Sequence, residues 1–196
     1  MDSLGWSLLI FAGSIVAILV WGAITYNKLV RLRNRADQLW AAIDVQLKRR
    51  HDLIPNLVNA LEGYTKHERG TLDEVVEARS EAIAASTPGD QTRAENALTG
   101  ALGRLFANVE NYPDLKAEGD FRRLEQQLAE LERAIAMSRD AYNITVQAYN
   151  NVVQTIPSSV VAWFTSFPAR EYLAAAETER QAPVVDVDVP PLAAAG

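Results

Sequence analysis

The side chains that could carry out chemistry are few in this sequence. His51 and His67 are the only histidines among 196 residues, and there is no cysteine. A helical zinc motif needs a second histidine four residues after the first, and His67-Glu68 is not followed by one. The Glu-x-x-His pairs of di-iron bundles, glycine-rich phosphate loops and Gly-x-Ser-x-Gly turns are also absent. The sequence therefore predicts no catalytic, cofactor-binding or metal-binding residues, and a protein that is not an enzyme.

The charged residues give no sign of a polar ligand either. The net charge is -6 and the pI is near 5.0, so the chain has no overall basic footprint for nucleic acid. Arg49 and Arg50 lie beside Asp52, with which they could pair locally, and are interpreted as part of a solvated face. Arg33 and Asp37 stand four apart and can pair across one helical turn. His51 lies on an apolar helical stripe, which is typical of a buried, hydrogen-bonded histidine. Neither nucleic acid nor a small-molecule substrate is expected as a partner.

Two groups of side chains are of the types found at membrane interfaces. The first is a basic cluster that follows an apolar N-terminal segment: Lys28, Arg31, Arg33 and Arg35. The second is an aromatic group that follows Pro157: Trp163, Phe164 and Phe167. Basic residues beside a span set its topology and also attract anionic headgroups, and we interpret this cluster mainly as a topology signal. Two interpretations of the aromatic segment stay open: it folds back and caps the helices, or it lies among the headgroups.

The element that must position both groups is the apolar segment over residues 4–24, which has no charged residue. At about 1.5 Å per residue it reaches about 30 Å, the thickness of a hydrocarbon core. Trp6 and Trp21 stand near its ends, as interfacial anchors do. A buried core helix and a cleavable signal peptide are the alternatives to an uncleaved transmembrane anchor. The positive-inside rule predicts a single-pass membrane protein, with the N-terminus outside and the remainder cytoplasmic.

Apolar residues at steps of three and four predict helices over residues 26–51, 53–85, 92–111 and 120–156. Pro55 either kinks the chain or begins the second helix. The fold class is therefore all-α: a transmembrane helix followed by an elongated antiparallel bundle of four helices. The alternative is a long two-arm hairpin bent at Pro55 and Pro113. Residues 1–25 form the anchor, residues 26–173 the bundle, and residues 174–196 an acidic tail expected to be mostly disordered.

Several blocks of the chain resemble the LemA family. The longest runs over residues 26–58 and reads YNKLVRLRNRADQLWAAIDVQLKRRHDLIPNLV. The second, over residues 112–117, reads YPDLKA, and Tyr142-Asn143 and Tyr149-Asn150 also match family positions. These two tyrosines are interpreted as core-edge residues with solvated hydroxyls. The resemblance implies a single-span protein of the bacterial plasma (inner) membrane with a cytoplasmic helical bundle. One LemA-like branch is associated with intracellular membrane compartments, and other members often occur beside membrane proteases.

Two functions are compatible with these features. The first is a non-enzymatic, membrane-anchored helical scaffold that self-associates or recruits partners, and that organises or shapes the membrane. The alternative is an accessory subunit of a membrane protease or quality-control complex. The expected partners are the lipid bilayer and either further copies of the chain or other membrane proteins.

Overall fold

The computed structural model describes residues 3–61 and 69–173, and the fold within these ranges is all-α, as predicted. The predicted tail over residues 174–196 lies outside the described residues, as does His67. The helices are α1 (Ser3–Leu61), α2 (Arg69–Ala84), α3 (Pro88–Val109), α4 (Pro113–Ala117), α5 (Gly119–Gln154) and α6 (Ser158–Phe164).

Helix α1 joins the apolar N-terminal segment to the rest of the fold without interruption. It contains 59 residues, which corresponds to a length of about 90 Å. Its first part leaves large apolar side chains such as Ile10 and Leu19 exposed, whereas Leu29 and later residues of the stripe are buried. Among the described helices, α1 alone is long and apolar enough, by length and composition, to cross a membrane.

The predicted helix boundary at residue 53 is wrong, because α1 continues through Pro55 to Leu61. A proline inside a helix removes the hydrogen bond to the carbonyl four residues earlier and costs about 3 kcal/mol. Here that carbonyl belongs to His51, and it accepts a hydrogen bond from Nε of Arg79 on α2 at 2.7 Å. A side chain of the neighbouring helix thus replaces the missing backbone donor, and the helix passes the proline.

The core has two regions, one after the other along the antiparallel helices α1 and α5. In the proximal half, nearer the apolar segment, Trp40 of α1 packs on Tyr142 of α5 with ring centroids 5.7 Å apart. In the distal half, α2 and α3 pack on this pair and complete a four-helix bundle. Its most buried residues include Leu57, Leu61, Val75, Leu98, Leu105 and Phe121.

The two predicted architectures each describe a different part of the chain. The four-helix bundle fits the distal half. In the proximal half α1 and α5 pair lengthwise, and α6 with the extended residues 168–173 takes the place of α2 and α3. Helix α3 also begins earlier than predicted, at Pro88, because the Thr87 hydroxyl accepts a hydrogen bond from the Asp90 amide at 3.1 Å and caps the helix.

The contact between Arg79 and the His51 carbonyl predicts an energetic coupling between Arg79 and Pro55. Arg79→Ala leaves a buried carbonyl without its donor, and we expect the free energy of unfolding to fall by about 1–3 kcal/mol. In a Pro55→Ala background the new amide can bond the same carbonyl, so Arg79→Ala should cost less. Denaturant unfolding of the four variants in detergent micelles measures this difference. Equal costs in the two backgrounds would show that Arg79 does not compensate for the proline.

Candidate functional sites

A buried ion network ties three helices together in the distal half. The Arg50 side chain on α1 is only 1% exposed, and its guanidinium pairs with the carboxylates of Glu95 on α3 and Glu132 on α5. It also donates to the hydroxyl of Thr99 at 2.9 Å and to the Glu95 backbone carbonyl at 3.3 Å. The prediction that Arg50 is solvated is wrong. Its buried charge is instead neutralised by acidic groups from two other helices.

Glu95 is the centre of this network. Its second carboxylate oxygen lies 2.8 Å from Nε2 of His51. Burial alone would raise the pKa of Glu95, but the hydrogen bond from His51 and the charge of Arg50 outweigh it and hold the pKa below the ordinary value. An ionised carboxylate only accepts hydrogen bonds, so Nε2 of His51 is the donor. His51 is thus a buried, hydrogen-bonded residue, as interpreted from the sequence.

The network is suited to holding helices rather than to reacting with a substrate. Arg50 and Glu95 are inaccessible to solvent, and each charge is already paired. The sequence analysis missed Glu95, although one signal could have revealed it. Glu95 stands three residues before Leu98 on the inner face of α3, and a carboxylate on an apolar stripe requires a buried partner.

Glu95 is expected to make stability depend on pH. Because its folded-state pKa lies below the ordinary value of 4.5, ionised Glu95 stabilises the fold above that value. This contribution is lost as the pH falls through the folded-state pKa. Glu95→Gln should lower the free energy of unfolding at neutral pH by roughly 3 kcal/mol and flatten its fall at acidic pH.

Denaturant unfolding across the acidic and neutral range measures both effects. Glu74→Gln is the matched control, because Glu74 and Arg104 form an exposed pair, and such pairs contribute little. An unchanged acid slope in Glu95→Gln would contradict the assignment.

The basic cluster lies where α1 leaves its apolar segment, and all four side chains are exposed. Helical spacing puts Lys28, Arg31 and Arg35 on one face of α1. Arg33 points to another side, where its guanidinium lies over the ring of Phe167, 5.0 Å from the centroid. In the structure, Arg33 therefore contacts an aromatic residue of the fold, whereas the other three basic residues share a different face of α1.

The structure also divides the three predicted interfacial aromatic residues into an exposed pair, Trp163 and Phe164, and a buried one, Phe167. Trp163 and Phe164 are 75% and 74% exposed, and their ring centroids are 4.8 Å apart. Phe167 is only 7% exposed. Its ring packs edge-on against Tyr26 and Tyr149, with centroids 5.8 and 6.5 Å away. Phe167 is thus part of the proximal core, while Trp163 and Phe164 form an outer surface.

Residues 168–173, which we call the strap, run extended along α5 and are held by two asparagines. Nδ2 of Asn150 donates to the Arg170 carbonyl and Oδ1 accepts from the Arg170 amide, both at 2.9 Å. Asn143 makes the same pair of bonds with Leu173, also at 2.9 Å. Seven residues of helix and three of extended chain both span about 10 Å. The side-chain amides of Asn143 and Asn150 are therefore spaced along α5 by the same distance that separates Leu173 from Arg170 along the strap.

The tyrosine before each asparagine also holds the strap. Tyr149 donates its hydroxyl to the Pro168 carbonyl at 2.9 Å, and Tyr142 donates to the Glu171 carbonyl at 3.4 Å. The two hydroxyls are therefore bonded to the strap, which corrects the expectation that water solvates them. Burial raises the pKa of both phenols, which keeps them protonated as donors. Each Tyr-Asn pair thus binds two residues of the strap: the first pair to occur along the strap binds Pro168 and Arg170, and the second binds Glu171 and Leu173.

Arg170 connects the strap to α1. Its guanidinium pairs with the carboxylate of Asp37 and donates to the Arg33 carbonyl at 3.2 Å. Asp37 therefore pairs with a residue of the strap rather than in the way expected from its spacing to Arg33. The strap links α1 and α5 along the proximal half.

Comparison with known proteins places these features in a family. The model of the LemA family matches residues 39–187, which include the ion network, both Tyr-Asn pairs and the strap. The chain belongs to the LemA family. It is 24% identical to magnetosome protein MamQ 2 of Paramagnetospirillum magneticum, over 81% of this chain and 68% of the relative.

Two further relatives agree with the assignment. Magnetosome protein MamQ of Magnetospirillum gryphiswaldense is 25% identical over 81% of this chain and 68% of its own length. Protein LemA of Metamycoplasma hominis is 26% identical over 83% of this chain and 73% of its own length. Family membership and the apolar first part of α1 make this LemA-family protein membrane-associated.

The asparagine contacts predict how the strap of this LemA-family protein responds to protease. Trypsin cleaves after Arg170 only when that backbone leaves α5, so cleavage in the wild type should be slow. Asn150→Ala removes two hydrogen bonds, and we expect cleavage to become about tenfold faster.

Limited proteolysis with mass spectrometry of the fragments measures the rate. Asn151→Ala is the control, because Asn151 is exposed on the same helix. Equal cleavage rates in the two variants would contradict the role of Asn150.

Proposed function

We propose that this LemA-family protein is a non-enzymatic, membrane-anchored helical scaffold that self-associates or recruits other membrane proteins at the cytoplasmic face of a bacterial plasma membrane. The observation that supports this most strongly is the continuity of α1 from its apolar segment to Leu61. A single helix is both the anchor and the longest member of the bundle. The bundle is therefore held away from the membrane in a fixed relation to the anchor.

The distal half is well suited to present a surface at a distance. From residue 24 to Leu61, α1 rises about 55 Å. At that end Arg50, Glu95 and Glu132 hold α1, α3 and α5 together. A helical bundle that presents a surface in this way needs no catalytic group. Two of the relatives are named magnetosome proteins, which supports a role at an organised membrane rather than in a soluble reaction.

One face of α5 offers a surface for contact with another protein. Met137 and Ile144 are exposed and stand seven residues apart, which puts them on the same side of the helix. Exposed apolar side chains on one face favour packing against a second copy or another membrane protein. This face supports the self-association in the proposal.

The orientation of the proposal rests on the basic residues of α1. Lys28, Arg31, Arg33 and Arg35 follow the apolar segment. Basic residues beside a span are retained on the cytoplasmic side, which supports the cytoplasmic orientation of the bundle in this proposal.

A single cysteine tests this orientation, since the natural chain has none. Ser86 is exposed between α2 and α3, so Ser86→Cys should not react with an impermeant maleimide in intact cells and should react after lysis. The shift in gel mobility of the labelled protein is the measurement. Labelling before lysis would place the bundle outside the cytoplasm and overturn the proposed orientation.

A second cysteine tests self-association. We expect Ile144→Cys in native membranes to give a dimer-sized product with a short bis-maleimide, because Ile144 and Met137 are exposed apolar side chains on one side of α5. Ser86→Cys is the control, since Ser86 is exposed between α2 and α3 rather than on α5. Monomer alone for both variants would contradict self-association. A defined product with a membrane protease would instead support the accessory-subunit function.

A further inference from the structure

We propose that α6 and the turn before it insert into the same lipid monolayer from which α1 emerges, and so form a second membrane contact. The inference rests on the membrane anchoring by α1 in the proposed function. It does not depend on self-association or on a protein partner. The occupant of this surface is the lipid interface, where apolar chains meet headgroups.

The height of α6 along α1 is fixed by core contacts. Phe167, three residues after the end of α6, packs against Tyr26, two residues after the uncharged segment over residues 4–24. Ala162 of α6 is buried in the same cluster as Leu29. If residues 4–24 fill the hydrocarbon core, α6 therefore lies at the level of the headgroups.

The outer surface at that level is apolar. Ile156 is 81% exposed, and Val160, Trp163 and Phe164 are exposed beside it. Val160, Trp163 and Phe164 share one face of α6, because they are three and four residues apart. Ile24, at the end of the apolar part of α1, is exposed as well. Tryptophan and phenylalanine next to a span are typical of interfacial helices.

The charge distribution matches the same boundary. No charged residue occurs between Asp140 and Arg170, so the end of α5, the turn and all of α6 are uncharged in a chain whose net charge is -6. On α1, Lys28, Arg31 and Arg35 share a face at a similar height, where they can meet lipid phosphates. An anionic protein surface would repel headgroups, and residues 141–169, which include all of α6, carry no carboxylate. The pattern favours lipid over a charged protein partner.

The strap keeps α6 in this position. Immediately after Phe167, Tyr149 holds the Pro168 carbonyl and Asn150 holds both backbone groups of Arg170. Arg170 in turn pairs with Asp37 of α1. α6 is thus fixed at both ends, by the end of α5 and by the strap. Insertion of its apolar face would restrict rotation of the bundle about the anchor.

Fluorescence with quenching lipids tests the proposal on the full chain in phosphatidylcholine and phosphatidylglycerol vesicles. Phe164→Cys and Ile83→Cys are matched variants, because both natural side chains are apolar and exposed, and Ile83 lies on α2 in the distal half, away from α6 and from the proposed contact face of α5. Each is labelled with the environment-sensitive dye NBD. At position 164 we expect a blue-shifted emission that doxyl-labelled lipids quench, more strongly with the doxyl group near the headgroup than deep in the chain. At position 83 we expect water-like emission without quenching.

Two results would overturn the insertion. Identical emission at the two positions would show that α6 faces water. A blue shift at position 164 without lipid quenching would show burial against protein. Trp163→Cys provides a second label on the same face, so that a local effect of one substitution cannot decide the outcome.

The test separates this proposal from self-association. If Ile144→Cys cross-links in the same vesicles while position 164 remains unquenched, only the insertion of α6 is wrong. If position 164 is quenched and no dimer forms, only the self-association is wrong.

Discussion

A buried guanidinium has to be neutralised, and the pairing of Arg50 determines how the helices of this protein assemble. The two carboxylates that meet it come from α3 and α5, far from α1 in sequence. The carbonyl of the next residue, His51, accepts a hydrogen bond from Arg79 of α2 in place of the amide that Pro55 lacks. Between residues 50 and 55, α1 is therefore joined by polar contacts to each of its three partners. Apolar packing supplies the bulk of the distal core, whereas these contacts join polar groups of α1 to one residue on each of the three helices.

The proximal half meets a different constraint, because two helices alone bury little surface. The strap and α6 supply the missing cover. The backbone of the strap forms hydrogen bonds with side chains of α5. The Tyr-Asn pairs of α5 thus supply the donors and acceptors that a neighbouring strand would supply in a sheet. The two halves share α1 and α5 but use different third elements. This explains why the chain needs both a helical hairpin and an extended segment.

The sequence predicted those features that depend on local pattern. Uncharged residues 4–24 and the apolar stripes of α1, α3 and α5 follow directly from periodicity, and the LemA resemblance followed from contiguous blocks. The sequence left open whether Pro55 kinks or ends the first helix, because the hydrogen bond that compensates for the proline comes from Arg79, a residue of another helix. The prediction that Arg50 is solvated was wrong for the same reason. Its neighbours in sequence suggest a solvated charge, whereas its partners, Glu95 and Glu132, are distant in sequence. The Tyr-Asn pairs were visible as repeats, but the strap they hold has no pattern of its own.

The continuity of α1 has a mechanical consequence. A rigid rod that crosses a bilayer converts an angle at the membrane into a displacement at its far end. If the span tilts by about 20°, a common value for transmembrane helices, the tip some 55 Å away moves sideways by about 20 Å. Bilayer thickness influences that angle, since a span too long for its bilayer tilts. A change in lipid composition that alters bilayer thickness would therefore change the tilt of α1 and shift the distal end of the protein sideways. The shift grows with distance from the membrane.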